Sequence, residues 1–574
     1  MSDETKAAAA RVDLDAWRRA AEGNRFDGDP FFVRLLRRHL GERFARWEPR
    51  LRAVAASLGL AHDARVAEIG RDENLPSLRR HDADGRPIET VVFHPDYHEV
   101  GRVFWSSGML AALAKPGNDV GSGALAYLLD QNGEAGHACP LACTAGAIKL
   151  LQKVGTDDQR RRHLPGLLES DYDRRLHAAQ FVTEIQGGSD VGLNACGAVP
   201  EPGRPGWYRI SGEKWFCSVA DAGLFVVSAR IDGVAQGTRG LGLFLVARTV
   251  NGAPNGFALR RLKSKLGTRS MATGEIEFAG ALGEAIGPLE DGFRNLVGIV
   301  LDTSRVHNAL ASCGLMRRAF TEARAFACSR GAFDRRIVEF PAVQETLARM
   351  RLRTATGLLT TFRVLELTER CETSAPDGDL ASARRIAVMI NKYWTALAGT
   401  LTARDGIEIL GGNGTIEDFS PLPRLYRDAM VIESWEGTHN TLCAQVLRDF
   451  AARALHRPWL RQVGEEIGAL DHSGIAGHAA RARDLLAEVS GRIDRLLASD
   501  PETAAAHVRH VVDRMCRLSD WVALLTQARF DLEHGAGSES LDLVELHRRA
   551  VLDPADPQEN PDGIPLQLRV ATSP

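Results

Sequence analysis

A short segment at residues 181–190 combines hydroxyl side chains with a glycine pair. Thr183 and Ser189 lie on either side of Gly187 and Gly188. Hydroxyls and backbone N–H groups gathered in one turn could hydrogen-bond a ligand. Taken alone, the pattern is more typical of an ordinary turn that leads into a sheet.

A second segment, residues 212–218, places an aromatic side chain two positions before a hydroxyl. Phe216 could cover one face of a flat ring, and Ser218 could hydrogen-bond the edge of that ring. Taken alone, a core strand explains this segment better.

A third segment, residues 329–336, follows a predicted helix. Arg330 could bind a phosphate group and Phe333 could stack on a base. The simpler alternative is a solvated helix end.

A fourth region joins a glycine-rich turn to an acidic one. Gly411 and Gly412 would let the backbone approach phosphates closely, and residues 432–438 place Glu436 between Trp435 and Gly437. A carboxylate with reduced solvation has a raised pKa and could act as a base. A surface charge is the alternative for any single carboxylate.

The elements that must position these residues change type along the chain. Residues 1–180 predict mostly helix, with a loop at 81–87, and residues 181–287 predict short strands separated by turns, as in a small barrel or sandwich. Long amphipathic helices are predicted after that, at 306–330, 341–372 and 380–409, with lengths typical of a helical bundle. We therefore expect a mainly α, α+β fold with four parts: an N-terminal helical domain at 1–180, a β domain at 181–288, a helical bundle at 289–452 and an extra helical region at 453–574. Residues 553–565, with four prolines, predict a tail or linker.

Composition and missing motifs exclude several classes of protein. The 574 residues carry 71 Lys and Arg against 74 Asp and Glu, so the chain as a whole has no basic character for nucleic acid. There is no G-x-G-x-x-G, Walker A, H-E-x-x-H or G-x-S-x-G motif, which argues against Rossmann, nucleotide-hydrolase, zincin and α/β-hydrolase functions. Nine cysteines without a C-x-x-C pair and a polar start predict reduced thiols in a cytoplasmic protein with no membrane segment. His137, Cys139 and Cys143 lie close together but lack a fourth ligand, so we expect packing there and no metal site.

Together the motifs resemble the acyl-CoA dehydrogenase family. Its order is T-E-x-x-x-G-S-D, G-x-K-x-[WF]-x-[TS], R-x-x-F, L-G-G-x-G and R-D with E-G-T, and all of these occur here in that order between Thr183 and Thr438. The helix–β–helix layout agrees with that family.

The resemblance implies FAD as the cofactor, bound without a Rossmann fold. Thr183 and Ser189 match flavin or ribityl-phosphate contacts, with Gly188 between them, and Phe216 and Ser218 match residues against the flavin ring. Further matched positions are Arg330 and Phe333 for the ADP half of FAD in a neighbouring subunit, Gly411 and Gly412 for the pyrophosphate, and Trp435, Gly437, Thr438 and Asn440 around the start of the last bundle helix. Two positions depart from most members: Phe216 replaces Trp, and Glu408 replaces Gln.

The resemblance also implies α,β-dehydrogenation of an acyl-CoA thioester. Glu436 matches the base that takes the α proton while hydride leaves Cβ for flavin N5. Some members carry the base on an earlier helix beside the residue that matches Arg305, where this chain has Ser304. An electron-transfer flavoprotein as electron acceptor and a homotetrameric assembly are implied in the same way.

Within the family, the chain is most similar to the AidB-like branch. The resemblance rests on residues 81–86, 92–95, 134–136, 139–140, 261–267 and 423–427, and on the extra region after about residue 453. That branch implies an alternative function, a flavoprotein that binds DNA during alkylation damage with little dehydrogenase activity. DNA binding needs clustered positive charge. Residues 451–574 instead hold 14 Lys and Arg against 19 Asp and Glu, a net charge of −5, which disfavours the alternative.

Overall fold

Long helices precede and follow one block of strands along the chain in the computed structural model, which describes residues 3–133, 135–234, 236–554 and 563–574. The helices are α1 (Asp3–Ala21), α2 (Pro30–Leu40), α3 (Phe44–Ser57), α4 (Leu60–Ile69), α5 (Pro95–Ser106), α6 (Met109–Ala112), α7 (Asp119–Asp130), α8 (Ala135–Val154), α9 (Asp157–Leu167), α10 (Gly292–Asn295), α11 (Asp302–Ser329), α12 (Pro341–Thr373), α13 (Gly378–Leu410), α14 (Leu422–Ser434), α15 (His439–Arg453), α16 (His456–Gly468), α17 (Ala476–Ala498), α18 (Pro501–Glu533), α19 (Glu539–His547) and α20 (Gly563–Thr572). The strands are β1 (Ser77–His81), β2 (Pro87–Val92), β3 (Ala178–Phe181), β4 (Gly197–Pro200), β5 (Trp207–Ser218), β6 (Leu224–Ile231), β7 (Leu241–Ala247), β8 (Thr249–Val250), β9 (Ala253–Pro254), β10 (Phe257–Leu262), β11 (Thr273–Ala285), β12 (Gly331–Ala332) and β13 (Arg335–Arg336).

The three long helices predicted from periodicity are confirmed as α11, α12 and α13. Helix α13 begins where the Asp377 side chain accepts hydrogen bonds from the backbone N–H groups of Asp379 and Leu380. It ends at Gly411, whose φ of +62° and ψ of −141° suit glycine and strain other residues. A good cap and a glycine therefore define both ends of the helix that precedes the fourth site region.

The strands of the middle region form a small closed barrel. Five strands pair in a ring, β11–β5–β4–β6–β7, and β7 returns to β11 through the pairs Glu284 with Leu245 and Ala285 with Phe244. Strand β10 extends the sheet from β11, and β3 lies parallel to β6. The sequence left a barrel and a sandwich open, and closure between β7 and β11 decides for the barrel.

Two local features differ from the sequence expectations. The loop near residue 81 joins a hairpin, β1–β2, inside a region predicted as mostly helix; β1 is largely exposed and lacks the apolar alternation that signals a strand. In the predicted tail at 553–565, Gly563 already begins α20, and Pro565 is tolerated because it lies in the first turn. Residues 555–562, and Glu134 of the N-terminal motif, lie outside the described residues.

Contacts divide the chain into two compact units. One unit, called here the helical unit, holds residues up to Leu60, Asp119–Gly133 and Asn308 onward; the other, called here the barrel unit, holds Ala61–Asn118 and residues 134–307. The four-part division made from the sequence stays a prediction. No helix in the described part of the chain has the length and apolar character needed to span a bilayer.

A buried polar cluster ties the first residues into the helical unit. The Asp29 carboxylate accepts a hydrogen bond from the Tyr127 hydroxyl at 2.9 Å and pairs with Arg317 Nε at 3.2 Å. These contacts join the segment before α2 to α7 and α11, which are almost a hundred residues or more away along the chain.

Close helix packing at Gly314 gives a stability prediction. A Cβ at Gly314 would lie 2.7 Å from the backbone carbonyl carbon of Asp130, and backbone cannot move aside as a side chain can. We expect Gly314→Ala to destabilise the protein by about 1–3 kcal/mol. The matched control is Gly399→Ala, because a Cβ there meets Ser312 at an ordinary 3.6 Å. The control should be neutral or stabilising by up to about 1 kcal/mol. Thermal unfolding of both variants checks the prediction, and equal midpoints would contradict it.

Candidate functional site

The first predicted loop, residues 182–190, is held over a buried ion pair in the barrel unit. Lys214 Nζ lies 2.7 Å from Glu184 Oε1, and the two side chains are 0% and 4% exposed. The Glu184 carboxylate also accepts hydrogen bonds from the backbone N–H groups of Ala195 and Cys196, at 2.6 and 3.1 Å. Lys214 Nζ donates in addition to the carbonyl of Val182 at 3.2 Å. The pair therefore fixes the backbone on both sides of the loop.

The charge state of Glu184 follows from this environment. Burial raises the pKa of the carboxyl, but the Lys214 charge and the hydrogen bonds outweigh burial and leave the pKa below its ordinary value. Glu184 is therefore ionised at neutral pH and keeps Lys214 paired.

The predicted residues of the loop meet the second motif directly. The backbone N–H of Trp215 donates to the carbonyl of Thr183 at 2.9 Å, which joins the loop to β5. A Cβ at Gly188 would lie 2.4 Å from the Thr183 hydroxyl oxygen, so a side chain there would displace that hydroxyl. Gly188 and Ser189 are exposed, and a ligand can reach them.

A β-bulge in β5 sets the direction of the predicted ring-binding aromatic. Lys214 pairs with Ile276 and Cys217 pairs with Gly274, so Trp215 and Phe216 together oppose one residue of β11. The extra residue breaks the alternation of buried and exposed side chains, and Phe216 is 54% exposed although it lies within a strand. The exposed face of Phe216 can cover a flat ligand.

Polar groups and a lysine surround Phe216. Ser218 Oγ lies 3.3 Å from Thr273 Oγ1 at the end of β5. Lys263 Nζ lies 3.5 Å from the centroid of the Trp215 ring and 5.1 Å from that of Phe216. A hydroxyl and a cation beside an exposed aromatic can bind both the face and the polar edge of a planar ring.

The third predicted motif forms a hairpin in the helical unit. Phe333 and Asp334, with φ of +51° and +62°, make the two-residue turn between β12 and β13. Asp13 anchors the hairpin, since its carboxylate accepts from Arg336 Nη1 at 2.7 Å and from the Gly331 backbone N–H at 3.2 Å. Phe333 is 89% exposed at the tip, and Arg330 is exposed beside it.

The fourth region consists of two turns. Gly411 and Gly412 are exposed after α13, and no atom lies within 4 Å of a Cβ built on either residue, so Gly411 is needed for its backbone angle and not for space. Glu436 lies in the turn between α14 and α15 with φ of +55°, and Gly437 follows with φ of +107°. Trp435, Glu436 and Gly437 are half-buried, whereas Thr438 and Asn440 are exposed at the start of α15.

Buried side chains behind this second turn hold its backbone. Lys392 Nζ donates to the carbonyls of Glu433 and Gly437, and Asn308 Nδ2 donates to the carbonyl of Ile432. Burial, with the Lys392 and Arg509 charges, lowers the pKa of His439 to about 4, so that ring is neutral at neutral pH.

The predicted site residues therefore form one group in the barrel unit and lie in three separate segments of the helical unit. The barrel unit brings together Thr183, Gly188, Ser189, Phe216 and Ser218. The helical unit holds Trp435, Glu436, Gly437, Thr438 and Asn440 in one turn, with Gly411 and Gly412 after α13 and with Arg330 and Phe333 on a separate hairpin.

Sequence reasoning missed the residues that support these groups. Lys392, Asp13 and the Glu184–Lys214 pair had no assigned role. Two signals were usable. Glu184 and Lys214 both belong to the quoted motifs, and a lysine lies within the otherwise mostly apolar run at residues 386–394, where an unpaired lysine is rarely buried.

Three family models match the chain in sequence order. The N-terminal domain of adaptive response protein AidB matches residues 17–174. The acyl-CoA dehydrogenase middle domain matches residues 179–281, and the acyl-CoA dehydrogenase C-terminal domain matches residues 290–451.

Individual proteins agree with these matches. Acyl-CoA dehydrogenase family member 11 from Caenorhabditis elegans is 33% identical over 451 residues, which cover 75% of this chain and 71% of that protein. AidB from Escherichia coli (strain K12) is 33% identical over 414 residues, 69% of this chain and 73% of that protein. The crystal structure of Caenorhabditis elegans ACDH-11 in complex with C11-CoA superposes with a TM-score of 0.82 at 26% identity, covering 92% of this chain and 90% of that one.

The ion pair under the first loop gives a prediction with a defined pH dependence. The folded-state pKa of Glu184 lies below its ordinary 4.5, so its stabilisation is present above about pH 4.5 and lost as pH falls through the folded-state value. We expect the wild type to unfold at a higher temperature than Glu184→Gln at pH 7, with the difference shrinking on acidification towards pH 3.

Lys214→Met should destabilise the protein by about 3–5 kcal/mol, because it leaves a buried carboxylate without its countercharge. The control is the double variant Glu184→Gln, Lys214→Met, which should recover part of that loss. A difference between wild type and Glu184→Gln that stays constant from pH 7 to pH 3 would contradict the assignment.

Proposed function

The chain belongs to the acyl-CoA dehydrogenase family, and on this basis we propose that it is an FAD-dependent enzyme that oxidises the Cα–Cβ bond of an acyl-CoA thioester. The observation that carries the proposal is Glu436, a half-buried carboxylate in a left-handed turn whose backbone is held from behind by buried donors. A base that must reach one particular C–H bond needs a backbone that is held rigidly in place. The C11-CoA held by the similar Caenorhabditis elegans structure supports a thioester ligand.

The residues of the barrel unit fit a flavin. Phe216 presents an exposed face, Ser218 offers a hydroxyl at its side, and the loop with Thr183 and Ser189 offers hydroxyls and backbone N–H groups around a glycine. These groups would hold the flavin of FAD. By the family pattern, Gly411 and Gly412 are proposed as positions that let the backbone approach a pyrophosphate. Bound FAD supplies the acceptor for the hydride that leaves the substrate Cβ.

Glu436 would take the α proton of the substrate as a general base. Ser304, the residue at the position where some members carry the base, accepts a hydrogen bond from Gln180 Nε2 at 2.9 Å and has no carboxylate. Glu436 is thus the carboxylate that the family pattern leaves for this role. Because the α proton is weakly acidic, donors must polarise the thioester carbonyl, and the Glu436 backbone N–H is the donor of this chain that the family pattern assigns.

A second subunit would complete the site. Phe333 is an almost fully exposed aromatic at the tip of a hairpin that Asp13 holds in place. The exposed ring is therefore available for the contact with a neighbouring subunit that the family pattern assigns to it. This supports the expected homotetramer, in which Arg330 and Phe333 contact the FAD of a neighbouring subunit. An electron-transfer flavoprotein is the proposed electron acceptor.

The proposed chemistry predicts bleaching of the flavin by acyl-CoA. We expect anaerobic mixing of the purified protein with a panel of acyl-CoAs to reduce the flavin absorbance for at least one class of acyl group. Glu436→Gln should slow this reduction by about 10²–10⁴-fold, the usual contribution of a general base, without loss of bound FAD. Glu465→Gln, which removes an exposed carboxylate from α16, should leave the rate unchanged. No reduction by any thioester, with FAD still bound, would reject the dehydrogenase proposal.

The AidB-type alternative is favoured by the match of residues 17–174 to an AidB N-terminal domain. The charges of the C-terminal region oppose it. Arg481 pairs with Glu488 and Asp553, while Arg548 and Arg549 both pair with Glu545, so these arginines are already neutralised within the chain.

We therefore expect weak, unsaturated binding to a DNA duplex even at low salt. The deciding measurement is the slope of the logarithm of the binding constant against the logarithm of salt concentration, which reports the number of phosphate contacts. Saturable binding with a slope of several phosphates would favour the alternative function.

A further inference from the structure

One buried lysine hydrogen-bonds the backbone at both ends of the turn that contains Glu436. Lys392 is 0% exposed, and its Nζ lies 2.8 Å from the carbonyl oxygen of Glu433 and 2.9 Å from that of Gly437. Glu433 lies in the last turn of α14, where the helix presents the negative end of its dipole, and Gly437 lies beyond the turn. A single ammonium group, with three donors, therefore ties the residue before the turn to the residue after it.

The turn needs such a restraint. Glu436 has a left-handed backbone, which residues other than glycine rarely adopt, and conformations of this kind persist where the surroundings enforce them. The backbone angle at Glu436 sets the direction of its Cβ and hence the reach of its carboxylate. A more flexible turn would keep the carboxylate but would no longer hold it in one direction.

The next residue of α13 extends this support to the C-terminal region. The Tyr393 ring lies nearly perpendicular to the ring of His439, the first residue of α15, with 5.1 Å between centroids and an interplanar angle of 86°. The Tyr393 hydroxyl donates to Asp513 Oδ1 at 2.6 Å and accepts from Arg509 Nε at 3.2 Å. Both of those partners lie on α18, well beyond residue 451, where the dehydrogenase C-terminal domain match ends.

We propose that Lys392 and Tyr393 are positioning residues for Glu436, and that helix α18 acts through Tyr393 as part of the scaffold of the catalytic turn. The inference rests on the proposed function, because it assigns residues that aim the proposed base. It gives the C-terminal region a role in the reaction that involves no nucleic acid.

The chain offers a matched control one residue further along α13. Trp394 Nε1 donates to Asp520 Oδ2 of α18 at 2.7 Å, so Tyr393 and Trp394 each make a side-chain hydrogen bond between the same two helices. Tyr393→Phe and Trp394→Phe each remove the hydrogen-bonding group and keep an aromatic ring. A purely structural role predicts the same effect on activity from both variants.

The test measures the rate of flavin reduction by acyl-CoA in the FAD-loaded enzyme. Tyr393→Phe should slow reduction by about 2- to 10-fold, the rate equivalent of one hydrogen bond, and Lys392→Met by about 100-fold, as expected for a misplaced base. Each variant is loaded with saturating FAD and assayed at saturating acyl-CoA, so that only the reduction step is compared, and in both variants the isotope effect with α-deuterated acyl-CoA should rise. Trp394→Phe should lower the unfolding temperature about as much as Tyr393→Phe but leave the reduction rate and isotope effect unchanged. Equal rates for Tyr393→Phe and Trp394→Phe would overturn the inference.

A second measurement separates this inference from the proposed function. Amide hydrogen exchange of the peptide that covers residues 430–445 reports the rigidity of the turn without any substrate. Faster exchange in Lys392→Met and Tyr393→Phe, but not in Trp394→Phe, supports the scaffold even if no acyl-CoA reduces the wild-type flavin, a result that would reject only the dehydrogenase proposal. Unchanged exchange in Lys392→Met would overturn the scaffold whatever the activity.

Discussion

The proposed catalytic turn depends on holding a left-handed backbone at Glu436. That conformation is unfavourable for a glutamate, so contacts with the surrounding structure must stabilise it. Helix α13 supplies them, because it carries Lys392 to the two carbonyls around the turn and also ends at Gly411, the start of the glycine-rich turn. One long helix, which begins at an Asp cap and ends at a glycine, therefore positions two of the predicted ligand-binding segments, the Glu436 turn and the glycine-rich turn.

The barrel unit solves a similar problem in the same way. A fully buried lysine, Lys214, orders its predicted ligand-binding loop through Glu184 and the Val182 carbonyl. Burying an ammonium group is costly, and the cost is offset only when its hydrogen-bonding partners are well placed. Because these partners must keep their positions around the ammonium group, the backbone that carries them is held rigid. In both units a buried charge thus converts an irregular segment into a defined surface.

Several acidic residues of the C-terminal region bind side chains of other helices in the helical unit. Glu539 lies between Arg34 of α2 and Arg351 of α12; burial raises the pKa of its carboxyl, but the two arginines outweigh burial and lower it overall. Asp513 and Asp520 of α18 bind aromatic side chains of α13. Many acidic residues of a region with net negative charge therefore act as internal partners for the rest of the helical unit. A structural role for the region follows from its contacts, and the proposed link to the Glu436 turn is its functional extension.

The sequence by itself determined the long helices, the block of strands and the family, because periodicity, turn residues and motif spacing are local properties of the chain. The ligand-binding role of the motifs stays a prediction. The sequence could not determine that Phe216 points outward, since a bulge set by pairing with β11 reverses the expected alternation. The partnership of Lys392 with carbonyls more than forty residues away was equally hidden, because backbone acceptors leave no mark in the residue types. Tertiary structure alone decided which buried charges meet which backbone groups, since such contacts arise only when separate elements pack together.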